Sequence, residues 1–331
     1  TQMSLPDAKM LNFNKTNVET RSTTDFTWFG ALSGVPGKAT LVVRDGNITG
    51  SVRDNGNLYR VEPVGNGVHA VIKVDVSRFP PEHPPSFKEK EKRGGAAPRS
   101  AVDTPKSDGP VGLDVLVAYT PAARTAVADI AATIQLAIAE ANQSYQNSKI
   151  NIRLNLVDSF EVSYSETGKS FDTILADFIG MADVNSRRNS SCADMAVMII
   201  NKSDYCGLAD AIMANASNAF AVVHYDCATG YYSFAHELGH LQGARHDPAN
   251  DPTTTPFSYG HGFQHTSPPP SWRTIMAYNC PGGCPRIQYW SNPNVNYNNL
   301  AMGTAATNDN ARVLNETAGT VAGFKTCPPK A

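Results

Sequence analysis

The segment His236-Glu237-Leu238-Gly239-His240-Leu241-Gln242-Gly243-Ala244-Arg245-His246-Asp247 decides how this chain is read. On an α-helix, residues four apart are offset by only about 40°, so His236 and His240 point the same way and can offer two imidazoles to one ion. Glu237 follows the first of them directly, which places its carboxylate beside that ion and not on it. Gly243 lets the helix stop and the chain turn, and three residues later His246 can return as a third ligand. Three protein ligands leave a fourth position open for water, as a catalytic zinc site requires and a structural one does not. HExxH arises by accident in a chain of this composition roughly one time in a hundred, and the full pattern on the order of 10⁻⁵. A glutamate so placed can take a proton from a zinc-bound water, whose pKa the ion lowers to about 7. A zinc site that had lost catalysis would have no need of an intact Glu237. His69, His83, His224, His261 and His265 lack ligand spacing and are expected at the surface or in the core.

HELGHLQGARHD, followed by Thr274-Ile275-Met276-Ala277-Tyr278, resembles the metzincin clan of zinc peptidases, which pair this motif with a methionine-containing turn. The resemblance covers about residues 112–325. Asp247 after the third histidine is similar to the reprolysin branch. Cys206-Gly207-Leu208-Ala209, His261-Gly262-Phe263 and residues 280–293 (CPGGCPRIQYWSNP) look most like the bacterial peptidyl-Asp metallopeptidases. The resemblance implies an α/β catalytic domain with a mixed, largely parallel sheet and helices, an irregular lower subdomain after Gly243, and a cleft with zinc at its floor. It makes Met276 the apolar base under the histidines and Asp247 a carboxylate tying the His246 turn to the lower subdomain. Tyr278 matches the tyrosine that astacins and serralysins place two residues after the turn methionine, where it can bind zinc or stabilise the oxyanion; reprolysins lack it. The resemblance also implies cleavage on the amino side of Asp, and the pocket receiving that carboxylate then needs a cation. In metzincins that pocket is walled by the segment after the methionine turn, where Arg286 is the one basic residue before the closing helix; Arg273, just ahead of the turn, is second choice. The other reading of Arg286 is a solvated loop residue.

Upstream the pattern changes. Short β-type runs over 26–32, 39–44, 47–52, 57–62 and 67–74, with Asp45-Gly46 and Asn55-Gly56 between them, predict a small antiparallel β domain within residues 1–78. Residues 79–110 (including PPEHPPSFKEKEKRGGAAPRS) are rich in Pro, Lys, Glu and Gly and are expected to be an exposed linker that carries a processing site. From 111 to 331, strands over 112–119, 150–162, 193–201 and 219–224 alternate with helical patterns over 121–146, 171–179 and 231–242, and 308–324 suggests a closing helix. Residues 1–108 are similar, more weakly, to the β-rich propeptides found ahead of such catalytic domains. Having no cysteine, this segment cannot silence zinc with a thiolate. As an intramolecular inhibitor it would plug the metal with His83, Asp103 or Asp108, or simply fill the cleft; otherwise it is a folding chaperone or accessory module. Bonds before Asp108 and before Asp103 are the expected self-processing sites.

A length of 331 residues suits two domains, and 41% hydrophobic with 18% charged residues is a soluble globular composition without a membrane span. Residues 1–110 hold 15 Lys and Arg against 12 Asp and Glu, the remainder 13 against 18, so the two parts carry opposite charge and could dock. No concentrated basic face for nucleic acid is present. All six cysteines lie beyond residue 190 and read as three disulfides made in an oxidising compartment, hence export; the alternative for Cys280 and Cys284 is a structural metal. The chain opens at Thr1 without a basic-then-apolar segment, so a signal peptide is expected to have been removed. The expected partners are polypeptide substrates, and calcium is not indicated. The competing reading is a secreted binding protein or toxin on a metzincin fold.

Overall fold

In a computed structural model of the protein, which describes residues 1–33, 37–84, 87 and 109–325, the N-terminal part is an antiparallel meander of seven strands in chain order. These are β1 (Gln2–Ser4), β2 (Met10–Thr20), β3 (Asp25–Leu32), β4 (Gly37–Arg44), β5 (Asn47–Asp54), β6 (Asn57–Gly65) and β7 (Val68–Val74). Asp45-Gly46 and Asn55-Gly56 take positive φ at both residues, the turn whose twist matches that of the flanking strands. Leu11, Phe13, Leu41, Val52, Tyr59 and Val61 form this sheet's own small core. β1 and β2 were not foreseen: only Leu11 and Phe13 of β2 are buried, too few apolar positions to show a period.

The second part is built on a five-stranded sheet. Its elements are β8 (Val111–Tyr119), α1 (Pro121–Ala126), α2 (Ile130–Asn147), β9 (Ile152–Glu161), α3 (Phe171–Gly180), α4 (Ala182–Ser191), β10 (Met195–Ile200), β11 (Gly207–Ala209), β12 (Phe220–His224), α5 (Tyr225–Ala228) and α6 (Ser233–Leu241). The order β11-β12-β10-β8-β9 is mixed and mostly parallel, with β11 the single antiparallel strand, at one edge. Every residue of β10 is buried, as a central parallel strand requires. The helix expected over 121–146 is interrupted: Thr120 caps α1 ahead of Pro121, and Asp129 caps α2 by accepting from the Ala132 amide. After α6 come the short pairs β13 (Gln264–His265) with β14 (Trp272–Arg273) and β15 (Asn292–Tyr297) with β16 (Leu300–Met302), then α7 (Asn310–Val321). Disulfides join Cys206 to Cys227 and Cys280 to Cys284, so the Cys280 pair is not a metal site; Cys192 is also disulfide-bonded, and Cys327 lies outside the described residues.

The two parts dock through α2, which packs on β9 and on β4 and β5 of the meander. Val42 meets Ala132 and Leu136 in an apolar contact. Around it the meander's cations face the second part's anions, Arg44 to Asp129 at 2.8 Å and Arg60 to Asp226 at 2.6 Å. The opposite charge of the two halves is thus used at their junction.

Candidate active site

Helix α6 is buried along its whole length, with Phe234, Ala235, Leu238 and Leu241 in the main core. That packing fixes the direction in which His236, Glu237 and His240 project. The helix ends as expected: Gly243 sits at φ +104°, and its amide donates to the His240 carbonyl at 2.9 Å. Arg245 then bonds with both Gly260 and Gly262, and this pairing returns His246 to the other two histidines.

The Nε2 atoms of His236, His240 and His246 lie 3.0–3.1 Å from one another. Nδ1 of His236 donates to the Ile275 carbonyl at 2.8 Å and Nδ1 of His240 to that of Ala244 at 2.9 Å, which leaves their Nε2 atoms as lone-pair donors. Burial, reinforced by neighbouring imidazoles, holds all three well below the ordinary histidine pKa, in the neutral form a metal needs. Lone pairs converging on one point repel unless a cation sits between them, so the donor set fits a metal ion.

Glu237 is 1% exposed, and burial raises its carboxyl, partly offset by His83. Oε1 lies 3.0 Å from His83 Nε2, while Oε2 has no partner among the described residues. Met276 is fully buried beneath α6, its Sδ 3.0 Å from where a Cβ on Gly239 would stand. Asp247 accepts from the Tyr278 amide at 2.9 Å and from Asn250 at 2.8 Å, linking the His246 turn to the methionine turn. The Tyr278 ring packs on His246 with centroids 4.4 Å apart, and its hydroxyl lies 3.3 Å from His83 Nδ1, so Tyr278 faces the histidines.

The N-terminal chain enters this cleft. His83 is buried, and its ligand atom lies within 4.8 Å of those of His236, His240 and His246, making a group of four. Phe87 stacks on His83 at 4.3 Å and covers His240 at 4.8 Å. The amides of Cys206 and Gly207, at edge strand β11, donate to the carbonyls of Pro81 at 2.8 Å and Glu82 at 3.0 Å. Residues 79–110 are therefore not exposed throughout: Glu82, His83, Pro84 and Phe87 are buried, because their rings and carbonyls find partners in the cleft that composition cannot reveal. His83 is likewise neither a surface nor an ordinary core histidine. His224 and His265 are buried outside the metal cluster, His261 is buried against it with Nδ1 donating to the His246 carbonyl at 2.7 Å, and His69 accepts from the Ile48 amide.

Arg286 is not a solvated loop residue: it is 2% exposed, Arg273 is 1% exposed, and both reach one carboxylate, that of Glu82. Tyr231 completes the group by donating to Glu82 at 3.0 Å. Burial pushes the Glu82 carboxyl up, but Arg286 and Arg273 outweigh it and hold the group at about 2. Glu82, Phe87 and Tyr231 were missed from sequence; the only hint was a carboxylate beside His83 amid prolines. Asp103 and Asp108 lie outside the described residues.

The sequence profile of metallo-peptidase family M12 matches residues 112–291. A "Peptidyl-Asp metalloendopeptidase" of Stenotrophomonas maltophilia (strain R551-3) is 47% identical over 299 residues, covering 88% of this chain and 71% of that one. The protein of the same name from Xanthomonas campestris pv. campestris is 43% identical over 339 residues, covering 96% and 80%. One from Pseudomonas fragi is 43% identical over 187 residues, which are 56% of this chain and 100% of that one. A solved structure described as "Structure of a chaperone-substrate complex" superimposes with a TM-score of 0.53 at 17% identity, covering 84% of this chain and 39% of that one, a likeness of fold alone. With the profile covering more than half of its length and relatives this similar over most of it, the chain belongs to the M12 metallopeptidases and, within them, to the peptidyl-Asp metalloendopeptidase family.

Proposed function

We propose that this chain is the latent form of an exported zinc endopeptidase of metzincin type, which cleaves on the amino side of aspartate once its N-terminal part is removed. Residues 1–78 are the pro-domain, 79–110 the connecting segment with its processing site, and 111–331 the catalytic domain. The observation that carries this reading is the convergence of three neutral imidazoles with the Glu237 carboxylate beside them. Zinc held by His236, His240 and His246 supplies Lewis acidity that acidifies water and polarises the scissile carbonyl. Glu237, made more basic by burial and with Oε2 free to accept, takes the proton of the attacking water and hands it to the leaving amine. Tyr278, on the rim of the site, donates to the oxyanion. The Cys206 and Gly207 amides hold the substrate backbone, as they hold the carbonyls of Pro81 and Glu82 in the latent form. Arg286 and Arg273 receive the aspartate carboxylate, in keeping with the names of the relatives. In the latent form His83 lies against His236, His240 and His246 and engages Glu237, so it would compete with water for a metal held there and slow hydrolysis. Export follows from the disulfides.

The test uses the chain cut with trypsin, for which Lys88 to Arg93 offer sites, and an unfolded protein substrate. Cleavage is expected before Asp and is abolished by a chelator. In the uncut chain, slow self-processing before Asp108 or Asp103 is expected, read by N-terminal sequencing. Absent or chelator-resistant cleavage would overturn the reading. Tyr278→Phe in the cut enzyme should lower kcat about a hundredfold, the worth of one oxyanion donor, with little change in KM. An unchanged kcat would assign Tyr278 to packing on His246.

A further inference from the structure

Arg273 and Arg286 are two guanidinium groups buried side by side, and among the described residues their one carboxylate partner is Glu82. The catalytic domain holds both in place without it. Arg286 Nη1 donates to the Tyr231 carbonyl at 2.9 Å, Arg273 Nη1 to that of Ala277 at 2.6 Å, and Arg273 Nη2 to the Tyr231 hydroxyl at 2.8 Å. Arg286 also lies over the Tyr231 ring, 4.4 Å from its centroid. Nε of each arginine has no partner among the described residues. Two buried like charges are unfavourable unless an anion joins them, and here that anion belongs to the segment which leaves on maturation.

We propose that Glu82 is a tethered stand-in for the acidic side chain of the substrate, seated in a carboxylate subsite made by Arg286, Arg273 and Tyr231, and that it bars acidic substrates from the latent enzyme. This rests on the reading of Arg286 and Arg273 as the specificity pocket, and adds to it both the occupant and a third determinant, Tyr231. The arrangement has the spacing of a substrate. Glu82 is one residue from His83, which stands against the metal histidines, and its carbonyl takes the Gly207 amide at the sheet edge. A side chain in this pocket therefore belongs to a residue next to the one at the metal histidines; because Glu82 precedes His83, the segment copies the adjacency of a substrate's aspartate to its scissile bond and not the substrate's chain direction. After maturation the pocket keeps two cations and a phenol and lacks an anion, so a substrate carboxylate restores what Glu82 supplied. Amides and neutral side chains cannot, which makes the subsite select for charge.

The inference is tested in the full-length chain carrying Glu237→Gln, which keeps every species intact, with a fluorescent Asp-containing peptide and its Asn counterpart followed by anisotropy. Glu82→Gln in that chain is expected to bind the Asp peptide at least tenfold more tightly than the parent, while Glu82→Asp keeps the peptide out. The Asn peptide should gain little. If Glu82→Gln excludes the Asp peptide as well as the parent does, although its melting curve shows a folded chain, Glu82 is not the barrier. The trypsin-cut protein separates this from the underlying reading. Equal binding of Asp and Asn peptides there means the pocket itself was misread, whereas discrimination there, with no effect of Glu82→Gln in the full chain, sinks only the present inference. Tyr231→Phe in the cut protein should weaken the Asp peptide severalfold and leave the Asn peptide unchanged; equal weakening of both would remove Tyr231 from the subsite.

Discussion

Glu237→Gln is expected to leave the metal bound and the fold intact while lowering kcat/KM of the trypsin-cut enzyme by three or more orders of magnitude, the effect of removing a general base without removing a ligand. Glutamine has nearly the same shape and keeps an oxygen for the contact that Oε1 makes with His83 at 3.0 Å. Its amide cannot take a proton from water. Because Glu237 is 1% exposed, the substitution also removes a buried charge and so carries little risk to folding. The same variant should fail to process itself. Retention of more than a tenth of the wild-type rate with a full complement of metal would place the base elsewhere.

Arg286→Ala in the cut enzyme should abolish the preference for Asp. A hydrogen bond to a charged group contributes about 1.5–3 kcal/mol, so loss of one guanidinium should lower kcat/KM for an Asp substrate by roughly ten- to a hundredfold or more, while its Asn analogue changes little. Arg286→Lys should not restore the preference in full, because lysine lacks the planar fork and the contact over Tyr231. Comparing kcat/KM for the paired substrates is the check, and an unchanged ratio would exclude Arg286 as a determinant.

The residues legible in the sequence are those whose geometry is local. His236, Glu237 and His240 share one helix, and the Gly243 turn brings back His246, so spacing alone predicted their meeting. The alternation of strands and helices likewise announced a mostly parallel sheet, and Asp45-Gly46 and Asn55-Gly56 announced hairpins. Arg286 was reached through the family resemblance and the charge a buried carboxylate needs. What stayed hidden depends on long-range contact. Glu82 reaches Arg286 across 204 residues of chain, and no local pattern encodes that pairing. Polar α4 and the three-residue β11 carry too weak a period to be seen, although β11 leads the edge that receives the N-terminal segment.

The account stands on metal-dependent hydrolysis at the three histidines, and metal analysis of the purified chain alongside activity after trypsin cutting tests this most directly. One zinc per chain is predicted, with peptide cleavage falling in step as a chelator removes the metal, returning on adding zinc, and absent from His246→Ala, whose metal content should fall sharply because one of three ligands is lost. Full cleavage by metal-free protein, or undiminished zinc in His246→Ala, would contradict it.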